Sequence, residues 1–177
     1  LVTLLGPGGV GKPRLALESA RSLAHRFEWG ARLVSLEAVD DPTDVAAALV
    51  DGIGLAAGAP IAERLTTAGD LDLLVVLDNC EHVIEAAATV VSALCTGGSR
   101  MRVVATSRER LGVDGEHVWP VEPLAAASGG RELLVDRARA IRPDVDLGDV
   151  AVIDRVLGRL DGLPLAVAVI KPQCPQG

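Results

Sequence analysis

Gly6, Gly11 and Lys12 stand in the spacing G-x-x-x-x-G-K inside "LVTLLGPGGVGKPRLALE". That spacing suits anion binding. Glycines let the backbone turn its N–H groups inward as a nest, and the start of the following helix adds favourable dipole charge. A lysine at this point reaches the outer phosphates of a nucleotide. The reading takes Gly6, Gly8, Gly9, Val10, Gly11, Lys12, Pro13 and Arg14 as the residues around the phosphates. The alternative is a Gly-rich turn with a chance lysine. One position departs from the chemistry. A Ser or Thr after the lysine would ligate Mg²⁺, and here Pro13 follows. Proline supplies neither a hydroxyl nor a backbone N–H, yet it is acceptable in a first helical turn. The fold is expected to survive, phosphate binding to weaken, and metal-dependent hydrolysis to suffer most. A single base change in a Thr codon would also give Pro13 with no selected role.

A second set of residues completes such a site. "DLLVVLDN" is an apolar strand that ends in Asp78, whose carboxylate can face the sheet's C-terminal edge and hold Mg²⁺ mostly through water. Taken alone, an Asp there is more often a cap for the next helix; the glycine-lysine loop before it turns the reading toward the metal. Asn79 follows where many ATPases place a second acid. Glu81 and His82 are the next groups that can polarise an attacking water, though Glu81 is also a good residue for a first helical turn. "RVVATSR" ends with Arg108, which can touch a γ-phosphate or lie solvated in "SRER".

Elements to position these groups are legible. "LVTLL", "ARLVSLEAV", "DLLVVLDN", "RVVATSR" and "HVWPVEPL" read as strands, the last broken by Pro120 and Pro123. Between them lie helical patterns. "KPRLALESARSLAHRF" places Leu15, Ala16, Ser19, Ala20 and Leu23 on one face. "DPTDVAAALVDGIG" opens with Asp41 as cap and Pro42 in the first turn. "IAERLTT" is a short helix, and "EHVIEAAATVVSALCTGG" is a helix closed by Gly97 and Gly98. Strands alternating with helices imply an α/β fold with a parallel sheet. After Leu124 the pattern is helical only: "GGRELLVDRARAI", then "DVAVIDRVLGRLDG" with a stripe of Val150, Ile153, Val156, Leu157 and Leu160, then "GLPLAVAVI". The expected division is 1–124 for the phosphate-binding domain, 125–170 for a partial helical subdomain and 171–177 for an irregular tail.

Composition narrows the function classes. Half of the 177 residues are apolar but only 2% are aromatic, so the core must be built from Leu, Val, Ile and Ala. The formal charge of −7 argues against nucleic-acid contact by this segment. Cys80, Cys95 and Cys174 show no metal-ligand spacing, which fits a reduced, cytoplasmic setting. No apolar run approaches the roughly 20 residues needed to cross a bilayer. The chain starts inside a strand-like run without a signal sequence, as expected of a piece of a longer protein.

"LLGPGGVGKPRLALE", "LLVVLDNCEHV", "RVVATSRERLGVDGEHVWPVEPL", "VDRARA" and "RLDGLPLAVAV" together resemble the signal-transduction ATPases with numerous domains, in their NB-ARC-like branch. The likeness is greatest to large bacterial transcriptional regulators, and it runs from Leu1 to about Val169. The resemblance implies a P-loop NTPase three-layer αβα sandwich binding ATP or ADP with Mg²⁺. It implies phosphate contacts from Gly6, Gly11 and Lys12, a metal-side role for Asp78, and a sensor role for Arg108. Gly162, Leu163, Pro164 and Leu165 match the GLPL motif, whose proline packs on adenine. The implied partners are DNA-binding and helical-repeat domains of the longer chain, with nucleotide-dependent oligomerisation and slow turnover. Three readings stay open: a regulatory nucleotide switch, an active ATPase that drives remodelling, and a nucleotide-free scaffold.

Overall fold

The computed structural model describes residues 1–55, 58–95, 99–124, 129–141, 143–144 and 149–169. Among the described residues there are five strands: β1 (Val2–Leu5), β2 (Ala31–Ser35), β3 (Leu74–Asp78), β4 (Arg102–Ser107) and β5 (His117–Pro120). They form one sheet in the order β2-β3-β4-β1-β5, and every pairing is parallel. Parallel neighbours need crossover connections, so helices must lie between strands in sequence. These are α1 (Lys12–Leu23), α2 (Val45–Gly52), α3 (Ile61–Gly69) and α4 (Ile84–Cys95). A third group follows β5: α5 (Gly130–Ile141), α6 (Val150–Arg159) and α7 (Pro164–Val169). The α/β class expected from alternation is the one observed.

The chain separates into two compact units. Leu1–Gly6 and Lys12–Pro120 form the first; Pro7–Gly11 and the described residues from Val121 onward form the second. In the first unit, β3 is apolar without interruption because both of its faces are covered: Leu74, Val75, Val76 and Leu77 are all buried. α1 packs on β3 and β4, while α2, α3 and α4 pack on one another. Leu49, Val50, Leu73, Val91, Leu94 and Met101 are among the side chains that fill this core. Arg64 is buried beside it, and its guanidinium reaches Asp51 at 2.5 Å and the Leu55 carbonyl at 2.9 Å.

Several elements differ in detail from expectation. On α1 the buried face is Lys12, Ala16 and Ala20, and Leu15 is 42% exposed. Small side chains at four-residue spacing let this helix approach the sheet, so the larger leucine falls off the contact. Asp41 does cap a helical start, accepting from the Thr43 N–H at 2.9 Å, but the first turn (Pro42–Asp44) is a 3₁₀ turn that precedes α2. α4 starts at Ile84, later than "EHV", because the chain after β3 first turns against β4: the Cys80 N–H donates to the Thr106 carbonyl at 3.0 Å and the Val83 N–H to the Cys80 carbonyl at 3.2 Å. Gly97 and Gly98, the expected helix stop, lie outside the described residues.

The second unit holds its helices with a small apolar cluster of Leu134, Ile153, Leu157 and Val167. Val150, expected on the same stripe, is 51% exposed. Asp149 caps α6 by accepting from the Ala151 N–H at 3.0 Å. Arg131 of α5 grips Asp154 of α6 with two bonds of 2.6 Å. This paired geometry holds the Asp154 carboxyl below its ordinary range. α6 ends where Gly162 adopts a left-handed φ of 62° and donates to the Leu157 carbonyl at 3.1 Å. A Cβ at Gly162 would lie 2.3 Å from the Leu124 carbonyl oxygen, so only glycine fits.

Core and helix-face assignments give contrasting expectations. Leu49→Ala, at a fully buried site, should cost about 2–5 kcal/mol in chemical denaturation. Leu15→Ala, on the exposed side of α1, should change stability by less than about 0.5 kcal/mol.

Candidate functional site

The sheet order decides which residues can meet. β4 lies between β1 and β3, with Leu5 opposite Ser107 and Leu77 opposite Ala105. All three strands run parallel. Gly6, Asp78 and Arg108 therefore leave the sheet at the same edge, with the β4 exit in the middle. The Gly6 N–H donates to the Ser107 carbonyl at 3.3 Å, which ties the start of the loop to β4.

Lys12 opens α1 and is only 5% exposed. Its Nζ donates to the Gly6 carbonyl at 2.7 Å, so the side chain spans from the end of the loop back to its beginning. Burial lowers the Lys12 pKa from its ordinary value. Glu81 opposes that shift, Arg108 adds to it, and Asp78 opposes it. Two acids and a second cation thus sit within electrostatic range of one buried ammonium. α1 has no acidic residue in its first turn, which leaves its N-terminal end favourable to an anion. Pro13 and Arg14 in that turn are exposed, and Pro13 removes one of the N–H groups the helix end would offer.

In the intervening loop, Gly9 and Gly11 have φ of 80° and 94°. Left-handed backbone at alternate positions is what a nest of inward N–H groups requires. Gly8 is exposed and Val10 is buried. Within the same unit the loop meets the start of α7. The Leu165 N–H donates to the Gly9 carbonyl at 3.1 Å, and a Cβ at Gly9 would approach the Leu165 Cβ to 3.2 Å. The Pro164 ring lies 3.8 Å from where a Cβ of Gly11 would stand. The sequence offered no sign of this link between the two glycines and the GLPL turn.

Asp78 is not an isolated carboxylate. Thr106, 1% exposed at the end of β4, donates its hydroxyl to Asp78 Oδ1 in a short bond. The same hydroxyl accepts from the Asn79 N–H at 3.0 Å. Asn79 is left-handed at φ 65°, a conformation asparagine tolerates. Its side-chain amide meets His82 Nδ1 at 3.3 Å, and His82 Nε2 meets the Val39 carbonyl at 3.1 Å. A carbonyl only accepts, so the network is satisfied with the imidazole proton on Nε2. His82 is thereby turned toward β2's exit loop. Cys80 is buried and its thiol is pushed up to about 12 by burial, with Asp78 and Glu81 adding to the effect. It is an inert packing residue.

Glu81 and Arg108 face each other: Arg108 Nε lies 2.9 Å from Glu81 Oε1. Glu81 is mostly covered, and its Oε2 is buried without a hydrogen-bond partner among the described residues. Neither the pair nor the Thr106–Asp78 bond was legible in the sequence, because both join residues 27 or 28 positions apart across β3 and β4. Beyond Arg108, Glu116 clamps the loop by accepting from the Leu111 and Gly112 N–H groups at 3.0 and 2.9 Å. Among the described residues no cluster of three metal-ligating acids, cysteines or histidines occurs. A divalent cation here would have Asp78 as its protein ligand, with phosphate and water completing its shell. Among the same residues no helix is long and apolar enough to cross a membrane.

No family model matches the chain. It is 38% identical over 172 residues to an uncharacterized protein of Mycobacterium tuberculosis, covering 94% of this chain and 44% of that protein. It is 36% identical over 172 residues to another protein of the same organism, named "Putative HTH-type transcriptional regulator", covering 94% of this chain and 19% of that one. The chain thus spans less than half the length of these relatives. Among solved structures it is similar to a signal transduction ATPase with numerous domains, carrying a tetratricopeptide repeat sensor, from Pyrococcus horikoshii. The TM-score is 0.66 at 16% identity, covering 96% of this chain and 27% of that one. It is also similar to the ORC2 protein of Aeropyrum pernix, solved in ADPNP–ADP complexes, with a TM-score of 0.52 at 17% identity over 78% of this chain and 44% of that one. At these identities the likeness concerns the fold alone, an α/β fold with a parallel sheet.

The buried ammonium has a thermodynamic signature. A lysine whose folded pKa lies below 10.5 binds fewer protons folded than unfolded between the two values, so its cost is full at neutral pH and lifts as pH rises through the folded pKa. Lys12→Met should therefore be at least as stable as the natural chain at pH 7. That advantage should shrink toward pH 10.5 in parallel denaturation curves. Thr106→Val keeps the shape but strands Asp78 Oδ1 and the Asn79 N–H, and should cost about 1–3 kcal/mol by the same measurement.

Proposed function

We propose that this chain is the ATP/ADP-binding switch module of a longer regulatory protein, with weak metal-dependent hydrolysis. The observation that carries the reading is Lys12. Its charge is held at 5% exposure, where leaving water is costly, and the side chain spans the loop to the Gly6 carbonyl. A phosphate group supplies the counter-charge. The acid-free start of α1 suits the same anion.

Within this reading Gly6, Gly8, Gly9, Val10, Gly11, Lys12 and Arg14 surround the phosphates, and Pro164 takes the adenine side. Asp78 is the group on the protein that would hold Mg²⁺. The metal would neutralise charge on the transferring phosphoryl group. Thr106 fixes the orientation of Asp78, so the carboxylate is preorganised and keeps its second oxygen for a water-mediated contact. The missing hydroxyl at Pro13 leaves the metal one ligand short. ADP depends on the metal less than phosphoryl transfer does, so binding should outlast hydrolysis. The bond from Leu165 to Gly9 gives a route by which loop geometry reaches α7. A loop that changes with its ligand is a two-state element of the kind that nucleotide switches use.

The active-ATPase reading is disfavoured by the surroundings of Glu81 and His82, both engaged by neighbouring groups. The longer relatives, one of them named as an HTH-type regulator, support a transcriptional output encoded elsewhere in the full protein.

The test is equilibrium ADP binding and steady-state ATP turnover for the natural chain and Pro13→Thr. Restoring the hydroxyl and N–H should raise turnover at least about tenfold, the size of one charge-assisted hydrogen bond, with a smaller gain in ADP affinity. Equal turnover in the two chains would contradict the proposal.

A further inference from the structure

We infer that Glu81 is an anionic placeholder for the γ-phosphate, holding Arg108 until a nucleoside triphosphate replaces it, and so weights the site against ATP relative to ADP. The inference rests on the nucleotide reading above and goes beyond it. The sequence offers Glu81 as a base that would polarise water. Its surroundings suit that role poorly. Oε1 is 2.9 Å from Arg108 Nε, and Oε2 is buried with no hydrogen-bond donor among the described residues. Of its two oxygens, Oε2 is withdrawn from water and Oε1 is engaged by Arg108. What it does present is a negative charge, beside Arg108 and within electrostatic range of the buried ammonium of Lys12. These are the two cations that a nucleoside triphosphate would engage.

Arg108 is suited to exchange partners. Its side chain is 62% exposed while Glu81 is 18% exposed, so the carboxylate is the fixed member and the guanidinium the mobile one. Arg108 directly follows β4, whose last residue Ser107 is tied to Gly6 at the start of the phosphate loop. A diphosphate leaves the Glu81–Arg108 pair intact. A triphosphate offers Arg108 a more highly charged anion, and the pair must break for it to be used. Glu81 therefore opposes ATP selectively and leaves ADP little affected.

The experiment measures dissociation constants for ADP and for a non-hydrolysable ATP analogue, with Mg²⁺ present. The proteins are the natural chain, Glu81→Gln, Arg108→Ala and the double variant. Glu81→Gln should shift the ratio toward the triphosphate by about two- to fivefold, the scale of a partly exposed ion pair. Arg108→Ala should shift it toward ADP, and in that background Glu81→Gln should leave the ratio unchanged. Retained ADP binding shows that each variant is folded, and Glu81→Asp serves as a second variant, with a shift in the same direction. An unchanged ratio in Glu81→Gln would overturn the proposal. So would an equal shift with and without Arg108, which would mean simple charge removal. If the natural chain binds neither nucleotide, the nucleotide reading falls, and the placeholder with it.

Discussion

The ammonium of Lys12 must be accommodated at 5% exposure, and its Nζ donates to the Gly6 carbonyl at 2.7 Å. That bond joins the two ends of the loop between β1 and α1. Much else follows from it. α1 can approach the sheet only through small residues, so Ala16 and Ala20 line the contact and Leu15 is left outside. The acids Asp78 and Glu81 offset the charge from the same sheet edge, and Arg108 works against it. A cluster of two cations and two acids assembled around a nearly buried site is what a polyanionic ligand would meet.

The sheet order makes this cluster possible. With β4 between β1 and β3, one strand serves both halves of the site. Its carbonyls at Thr106 and Ser107 receive Cys80 and Gly6, and its Thr106 side chain holds Asp78. The same strand then delivers Arg108 to Glu81. In the second unit, Gly9 and Gly11 meet Leu165 and Pro164 at the start of α7. A turn with no obvious chemistry of its own becomes a structural neighbour of these two glycines.

The α/β architecture was legible because its signals are local. Apolar runs such as "LVVL" are bounded by turns, and helical stripes separate them. Asp41 as a cap and the late, purely helical pattern are equally local. The departures were tertiary. Leu15 was placed inward by periodicity, but the close approach of α1 to the sheet selected a different face. α4 began three residues after its pattern because Cys80 is pinned to β4. Spacing suggested which residues to consider, whereas their pairing was not legible. Whether Glu81 faces water, Arg108 or phosphate depends on strand order, which a strand-by-strand reading does not supply. The role of Pro13 lies between the two. Its steric fit in the first turn of α1 was predictable from proline geometry, while its functional effect depends on a ligand.

The most direct measurement is a thermal-unfolding series on the natural chain with ADP, in Mg²⁺ and in a chelator. A ligand that binds only the folded state at a hundredfold excess over its dissociation constant stabilises by about 2.7 kcal/mol, which is readily seen as a rise in Tm. If the proposed function holds, ADP raises the Tm with little difference between Mg²⁺ and chelator, because Pro13 offers no hydroxyl to a metal. No rise with ADP would contradict nucleotide binding, and a rise that required Mg²⁺ would contradict the damaged metal site.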